Sequence, residues 1–310
     1  MNIFLQNTWL TLKSRVLPTN DKINKSTNQY STNILSQYIM KKLCFLSLAI
    51  LIISCKPTRD TGNLPINHYQ IIGSHNSYKQ AIETDLLSVL SKTDSLTAFK
   101  LDYAHIDPVD QLDMGLRSLE FDVFYDPEGG MYSDPLGNTI LKSENIEPAP
   151  FDTDRKLKLP GLKMFHVQDI DFRSHFLLFK DALMAVRCWS DSNPDHFPVI
   201  ITVEPKDSYI KWPDFTRPLP FNAEALKTID EEIISILGKD RLITPDLVRG
   251  RKASLEEAVL KNGWPSLDKV KGKFMFVMDA GGEKLSSYLS LSKGLQDRVM
   301  FVNAREGEPE

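Results

Sequence analysis

Short apolar runs recur between residues 69 and 302, separated by longer stretches in which apolar residues return every three or four positions. The runs at 69–73, 116–124, 163–167, 199–203, 274–278 and 300–302 are rich in Val, Ile, Leu, Phe or Met and are bounded by turn residues, so they predict strands. A weaker strand signal lies at 242–243. Helical spacing predicts helices over 81–90, 108–114, 176–189 and 223–237. Pro108 is placed to open the second of these. Leu226, Ile229, Ile233, Ile234 and Leu237 share one stripe of the last, and Gly238 follows as its stop. Strands alternating with helices predict parallel pairing through crossovers, and a strand count near seven favours a barrel over an open sheet. The predicted fold is therefore α/β, a (β/α)8 TIM-type barrel.

Only eight residues, 303–310, follow the last strand signal, so the barrel is expected to be truncated before its last strand or strands. No repeat or low-complexity linker divides the chain beyond residue 68, and residues 69–310 read as one domain. The 310 residues are 42% apolar, enough for one large core, and carry a formal charge of −4. That charge argues against a nucleic-acid partner, which demands a basic face. No obligate protein partner is indicated. Cys188 is the lone cysteine of this body, which excludes a disulfide framework, and its place in the 176–189 run predicts a buried small side chain.

The N-terminus has a different character. Residues 1–39 are rich in Asn, Ser and Thr without periodicity, and read as disorder or as an extension upstream of the true start at Met40. Basic Met40-Lys41-Lys42, an apolar run of 11 residues at 43–53, and small Ser54 then follow in the order of a signal peptide. The run is too short to span a bilayer as a helix. Ile52-Ile53-Ser54-Cys55 resembles a bacterial lipobox, which implies a lipid on the Cys55 thiol and a membrane-anchored lipoprotein of the bacterial envelope. Residues 40–55 are thus a lipoprotein signal and 56–68 a linker.

Polar residues fall at or just beyond the ends of the predicted strands: His75, Glu120, Asp122, His166 and Glu204. In a (β/α) barrel those ends converge on the face that carries the active site. Glu120 and Asp122 are two apart on a strand and share a face. Two such carboxylates repel each other unless a cation holds them, so they point to a metal or catalytic site, or else to a solvated strand end. His75 is either a structural residue or a base working near neutral pH, and His166 could pair with it as the acid. Glu204 supplies a third carboxylate and Asn76 a neutral oxygen. Oxygen donors from Asn76, Glu120, Asp122 and Glu204 suit calcium, with magnesium as the alternative. Zinc would recruit histidines at close spacing, which the chain lacks. Lys206 is either a phosphate contact or a solvated surface lysine.

Ser74-His75-Asn76-Ser77-Tyr78 and the stretch from Gln111 to Val123, Gln-Leu-Asp-Met-Gly-Leu-Arg-Ser-Leu-Glu-Phe-Asp-Val, resemble the first two motifs of the catalytic region of phosphoinositide-specific phospholipases C. The likeness is to the bacterial calcium-dependent subgroup, extends to Leu101-Asp102-Tyr103-Ala104-His105 and 126–130, and matches His166 and Glu204 to the remaining histidine and acid. It implies a distorted barrel whose active-site face meets lipid, and cleavage of a membrane phospholipid, phosphatidylinositol. In that scheme His75 takes the proton of the inositol 2-hydroxyl, His166 protonates the leaving diacylglycerol oxygen, and calcium lies on Asn76, Glu120, Asp122 and Glu204. Lys206 is the candidate substrate contact. The alternatives are a glycerophosphodiester phosphodiesterase, whose usual His-Arg-Gly is His75-Asn76-Ser77 here, another headgroup phosphodiesterase, and a non-catalytic headgroup-binding lipoprotein.

Overall fold

A computed structural model describes residues 63–303. The proposed extension, the lipoprotein signal with Cys55, and residues 304–310 lie outside the described residues. The chain divides into two units, 1–59 and 60–310, and the described residues belong to the second.

Four strands form one parallel sheet in the order of the chain: β1 Ser118–Val123, β2 Val199–Pro205, β3 Phe274–Met278 and β4 Met300–Val302. The helices are α1 Thr84–Thr93, α2 Ser95–Leu101, α3 Pro108–Asp113, α4 Leu136–Ser143, α5 Phe179–Ser192, α6 Ala223–Leu237, α7 Pro245–Arg249, α8 Leu255–Asn262, α9 Leu267–Val270 and α10 Gly282–Ser290. This is the α/β parallel-sheet class that the alternating pattern predicts. The sheet is an arc among the described residues, and there no bridge joins β4 to β1.

Local chemistry accounts for the element ends. Asp107 caps α3 by accepting from the Val109 amide, with Pro108 in the first turn. Asn222 caps α6 through the Ala225 amide, and Gly238, at φ 75°, ends it where a side chain would be strained. Leu226, Ile229, Ile233 and Leu237 of α6, and Phe179, Ala182, Leu183 and Val186 of α5, bury their stripes with the apolar residues of the sheet in one core. A second core gathers α1 and α4 with Phe124, Tyr132, Phe165 and Phe172. Phe124 and Phe165 stack there at 4.4 Å, and Tyr132 meets Phe165 edge-on at 5.1 Å.

Three predicted strands are reduced to bridges. The 69–73 run makes one parallel bridge, Gly73 to Ser118, and 242–243 makes one, Leu242 to Phe274. The 163–167 run makes antiparallel bridges from Lys163 to Phe124 and to Leu178, and from Val167 to Asp171. The reason lies in Met164 and Phe165. Met164 enters the sheet core and Phe165 the second core, so this segment is a seam between two cores and not a member of the sheet. Cys188 is exposed, contrary to expectation. It stands four residues after exposed Met184, on the outer stripe of α5.

Candidate active site

The register of β1 and β2 builds the acidic cluster. Asp122 and Glu204 are cross-strand partners, and Glu120 lies two residues back on the same face as Asp122. One ligand oxygen from each of Glu120, Asp122 and Glu204 lies within 4.8 Å of the others. Asp122 is fully buried, and neither of its carboxylate oxygens has a hydrogen-bond partner among the described residues. Burial pushes the Asp122 carboxyl up to about 7, against the pull of Lys206 and with the repulsion of Glu204. Burial also raises Glu120, helped by Glu204 and Asp279 and opposed by His75. A buried carboxylate without hydrogen bonds, flanked by two more, fits a hard cation, and an all-oxygen donor set fits calcium.

The first motif docks on β1 by backbone and hydroxyl bonds. The Ser74 amide donates to Ser118 O at 3.2 Å and the Ser77 amide to Glu120 O at 3.1 Å. The Glu120 amide donates back to Ser77 Oγ at 2.8 Å. Gln111 of α3 fixes the same loop, donating to Ser77 O at 2.6 Å and accepting from Ser74 Oγ at 2.5 Å. Between these anchors Asn76 takes a left-handed φ of 50°, which asparagine tolerates better than most residues. Its amide donates to Glu120 Oε2 at 3.2 Å, which sets Asn76 beside the cluster. Its Nδ2 donates to the Tyr103 hydroxyl at 2.6 Å, and its Oδ1 accepts from Tyr78 at 3.2 Å, leaving that oxygen room for a further partner.

The two histidines are held differently. The His75 side chain is 73% exposed, with Nε2 3.6 Å from Glu120 Oε2. His166 is only 17% exposed, and its Nδ1 lies 2.7 Å from Oδ2 of buried Asp171. That contact leaves Nε2 as the ring atom open to a substrate. The Tyr103 ring stands between Asn76, bonded to its hydroxyl, and His166, 6.2 Å away between centroids. Lys206 lies over the carboxylates, 3.3 Å from both Asp122 Oδ2 and Glu204 Oε2. Burial would lower its pKa, but Asp122 and Glu204 outweigh that and raise it.

The structure thus brings Asn76, Glu120, Asp122, Glu204, Lys206 and His75 together and places His166 across Tyr103 from Asn76. Asp171, Lys79 and the role of Tyr103 are additions that sequence reasoning missed. Tyr103 lies in the 101–105 stretch that carries part of the family likeness, which gave it no role. Asp171 follows His166 by five residues, and the signal for it was a turn: Asp169, at φ 72°, reverses the chain so that Asp171 returns beneath the histidine.

The sequence model of the calcium-dependent phosphoinositide phospholipase C family matches residues 64–310. The chain belongs to this family. It is therefore a phosphodiester hydrolase of the phospholipase C class, in a family that depends on calcium. A comparison with curated proteins finds no match. Among solved structures, the chain is similar to the calcium-dependent phosphoinositol-specific phospholipase C of a Gram-negative Pseudomonas species, at 17% identity over 79% of this chain and 67% of that one, with a TM-score of 0.47. It is also similar to the calcium-dependent phosphatidylinositol-specific enzyme of Streptomyces antibioticus, at 23% identity over 77% and 67%, TM-score 0.42. A third is the phosphatidylinositol-specific phospholipase C of Listeria monocytogenes, at 14% identity over 70% and 53%, TM-score 0.36. The carboxylate cluster of this phospholipase C family member could hold a metal ion.

Proposed function

We propose that the enzyme cleaves the glycerol–phosphate bond of phosphatidylinositol by attack of the inositol 2-hydroxyl, releasing diacylglycerol and a cyclic inositol phosphate. The observation that carries this reading is the unequal holding of the two histidines around one oxygen-donor cluster. Exposed His75, beside Glu120, takes the proton of the attacking hydroxyl. His166, fixed through Nδ1 by Asp171, turns Nε2 to the leaving glycerol oxygen and gives it a proton. The Asp171 carboxylate sets the tautomer of the ring and steadies its charged form. Glu120, Asp122, Glu204 and Asn76 Oδ1 are the residues that would hold calcium, which when bound supplies positive charge against the developing charge on phosphate. Lys206, once displaced from the carboxylates, is within reach of that phosphate.

A lipid substrate is further supported by α2. Its Leu96 and Phe99 are 62% and 80% exposed and one turn apart, and the carbonyl of Leu101 at its end is bonded by Lys79 behind Tyr103. We assign this exposed apolar pair to the side of the protein that meets the lipid. Cys55 carries the lipid that anchors the protein in a bacterial envelope, on the support of the basic start, the apolar run and the small residue before it. Among the described residues no helix is long and apolar enough to cross a membrane.

Phosphorus NMR of the purified protein with phosphatidylinositol and calcium tests the reading. A cyclic inositol phosphate resonance is expected with the parent enzyme and not with His75→Ala. A product that is linear from the first turnover would refute internal attack.

A further inference from the structure

We infer that Lys79 is a positioning residue for the proton donor: it supplies the counter-charge that keeps buried Asp171 in place, and Asp171 in turn aims His166, an inference that rests on the proposed role of His166 as the acid. Lys79 and Asp171 are both wholly buried, and Nζ lies 3.2 Å from Asp171 Oδ1. The same ammonium donates to Tyr103 O at 2.6 Å, Leu101 O at 3.0 Å and Gln80 O at 3.3 Å. Three carbonyls already match the three protons of an ammonium. Asp171 Oδ1 accordingly makes no hydrogen bond, and its contact with Lys79 is one of charge. The other oxygen, Oδ2, holds His166 Nδ1 at 2.7 Å.

A wholly buried carboxylate demands a counter-charge. His166 offers a counter-charge only while it carries the proton that it gives to the leaving oxygen; once that proton has gone, Lys79 is the charge that remains beside Asp171. The lysine is itself built into the wall of the site. Its Nζ lies 4.4 Å over the centre of the Tyr103 ring, its amide donates to Asn76 O at 2.9 Å, and its carbonyl accepts from the His105 amide at 2.9 Å. A purely structural lysine would serve the loop at 101–105 alone. This one also faces the carboxylate that the histidine uses.

A general acid matters in proportion to how poor the leaving group is, which separates positioning from simple support of the fold. The full-length protein, saturated with calcium, is assayed on two soluble substrates. Short-chain dihexanoyl phosphatidylinositol has an alkyl alcohol to expel, and the p-nitrophenyl ester of inositol phosphate has a leaving group that needs no proton. Lys79→Met is expected to lower kcat on the first about ten- to a hundred-fold, part of the roughly 10²–10⁴-fold that a general acid supplies, and to change the second by less than about three-fold. His166→Ala is the reference and shows the same contrast more strongly. Equal losses on both substrates for Lys79→Met, with His166→Ala still discriminating, would overturn the role of Lys79 and leave His166 as the acid. Equal losses for His166→Ala would overturn both. Should Lys79→Met not fold, Lys79→Gln, which keeps N–H donors for the carbonyls and removes the charge, takes its place under the same criteria.

Discussion

Replacing Asp122 by Asn should make the calcium-free protein more stable at pH 8 while depriving it of its response to calcium. Burial lifts the Asp122 carboxyl from an ordinary value of 3.8 to about 7. Three units at about 1.4 kcal/mol each put the cost of holding this carboxylate charged in the folded protein at about 4 kcal/mol. Asparagine removes that cost, but its amide is buried and Lys206 keeps only Glu204, which takes back about 1–3 kcal/mol. A net gain of about 1–3 kcal/mol remains at pH 8. The sign reverses the usual carboxylate pattern. The unfolded chain releases the proton near pH 4 and the folded one near pH 7, so the parent loses stability as pH rises through that window. At pH 5 Asp122 is already protonated in the fold, and the gain from Asn should vanish. Urea unfolding followed by the fluorescence of the four tryptophans, at pH 5 and pH 8 with and without calcium, reads all of this. The parent should gain about 2.7 kcal/mol at a hundred times its calcium Kd, and Asp122→Asn far less. An Asn variant that is less stable than the parent at pH 8 without calcium, or that gains as much from calcium, would refute the reasoning.

Other contacts lead to equally definite outcomes. Ser77→Ala removes the acceptor of the Glu120 amide and should cost about 1–2 kcal/mol by the same unfolding assay, with a weaker calcium midpoint. Leu96→Ser with Phe99→Ser should leave turnover of dihexanoyl phosphatidylinositol within two-fold or so while cutting sedimentation with phosphatidylinositol vesicles several-fold; unchanged sedimentation would exclude α2 from the lipid face. Tyr288→Phe deprives buried Asp230, itself pushed up to about 6 by burial, of its 2.8 Å hydroxyl donor, and should lower stability by about 1–3 kcal/mol without altering calcium affinity. Cys55→Ala should move the protein from the membrane to the soluble fraction on centrifugation, and retained acylation would exclude that cysteine.

Features with one local cause were legible in the amino-acid order. The helix predicted over 223–237 forms with those bounds, because a single apolar stripe, an Asn cap and a glycine stop all agree. The carboxylates were legible for the opposite reason: Glu120 and Asp122 conflict with the apolar strand that carries them. What could not be read depends on which core a residue enters. Met164 and Phe165 are both apolar and adjacent, and nothing local says that they belong to different clusters. Asp171 and Lys79 are ordinary charged residues until the turn at Asp169 and the loop after Asn76 bury them against each other. A buried ion pair joins distant positions, and a pattern confined to near neighbours along the chain carries no trace of it.

The ammonium of Lys206 lies on Asp122 and Glu204, where a divalent ion would have to sit. Loading the metal is therefore an exchange of a tethered cation for a free one. The tether gives the lysine a standing local concentration, and calcium competes against that and not against water. Were calcium to bind there, such a placeholder would raise the calcium concentration at which the site fills. The evicted charge would stay tethered beside the carboxylates, where the proposed anionic headgroup would meet it.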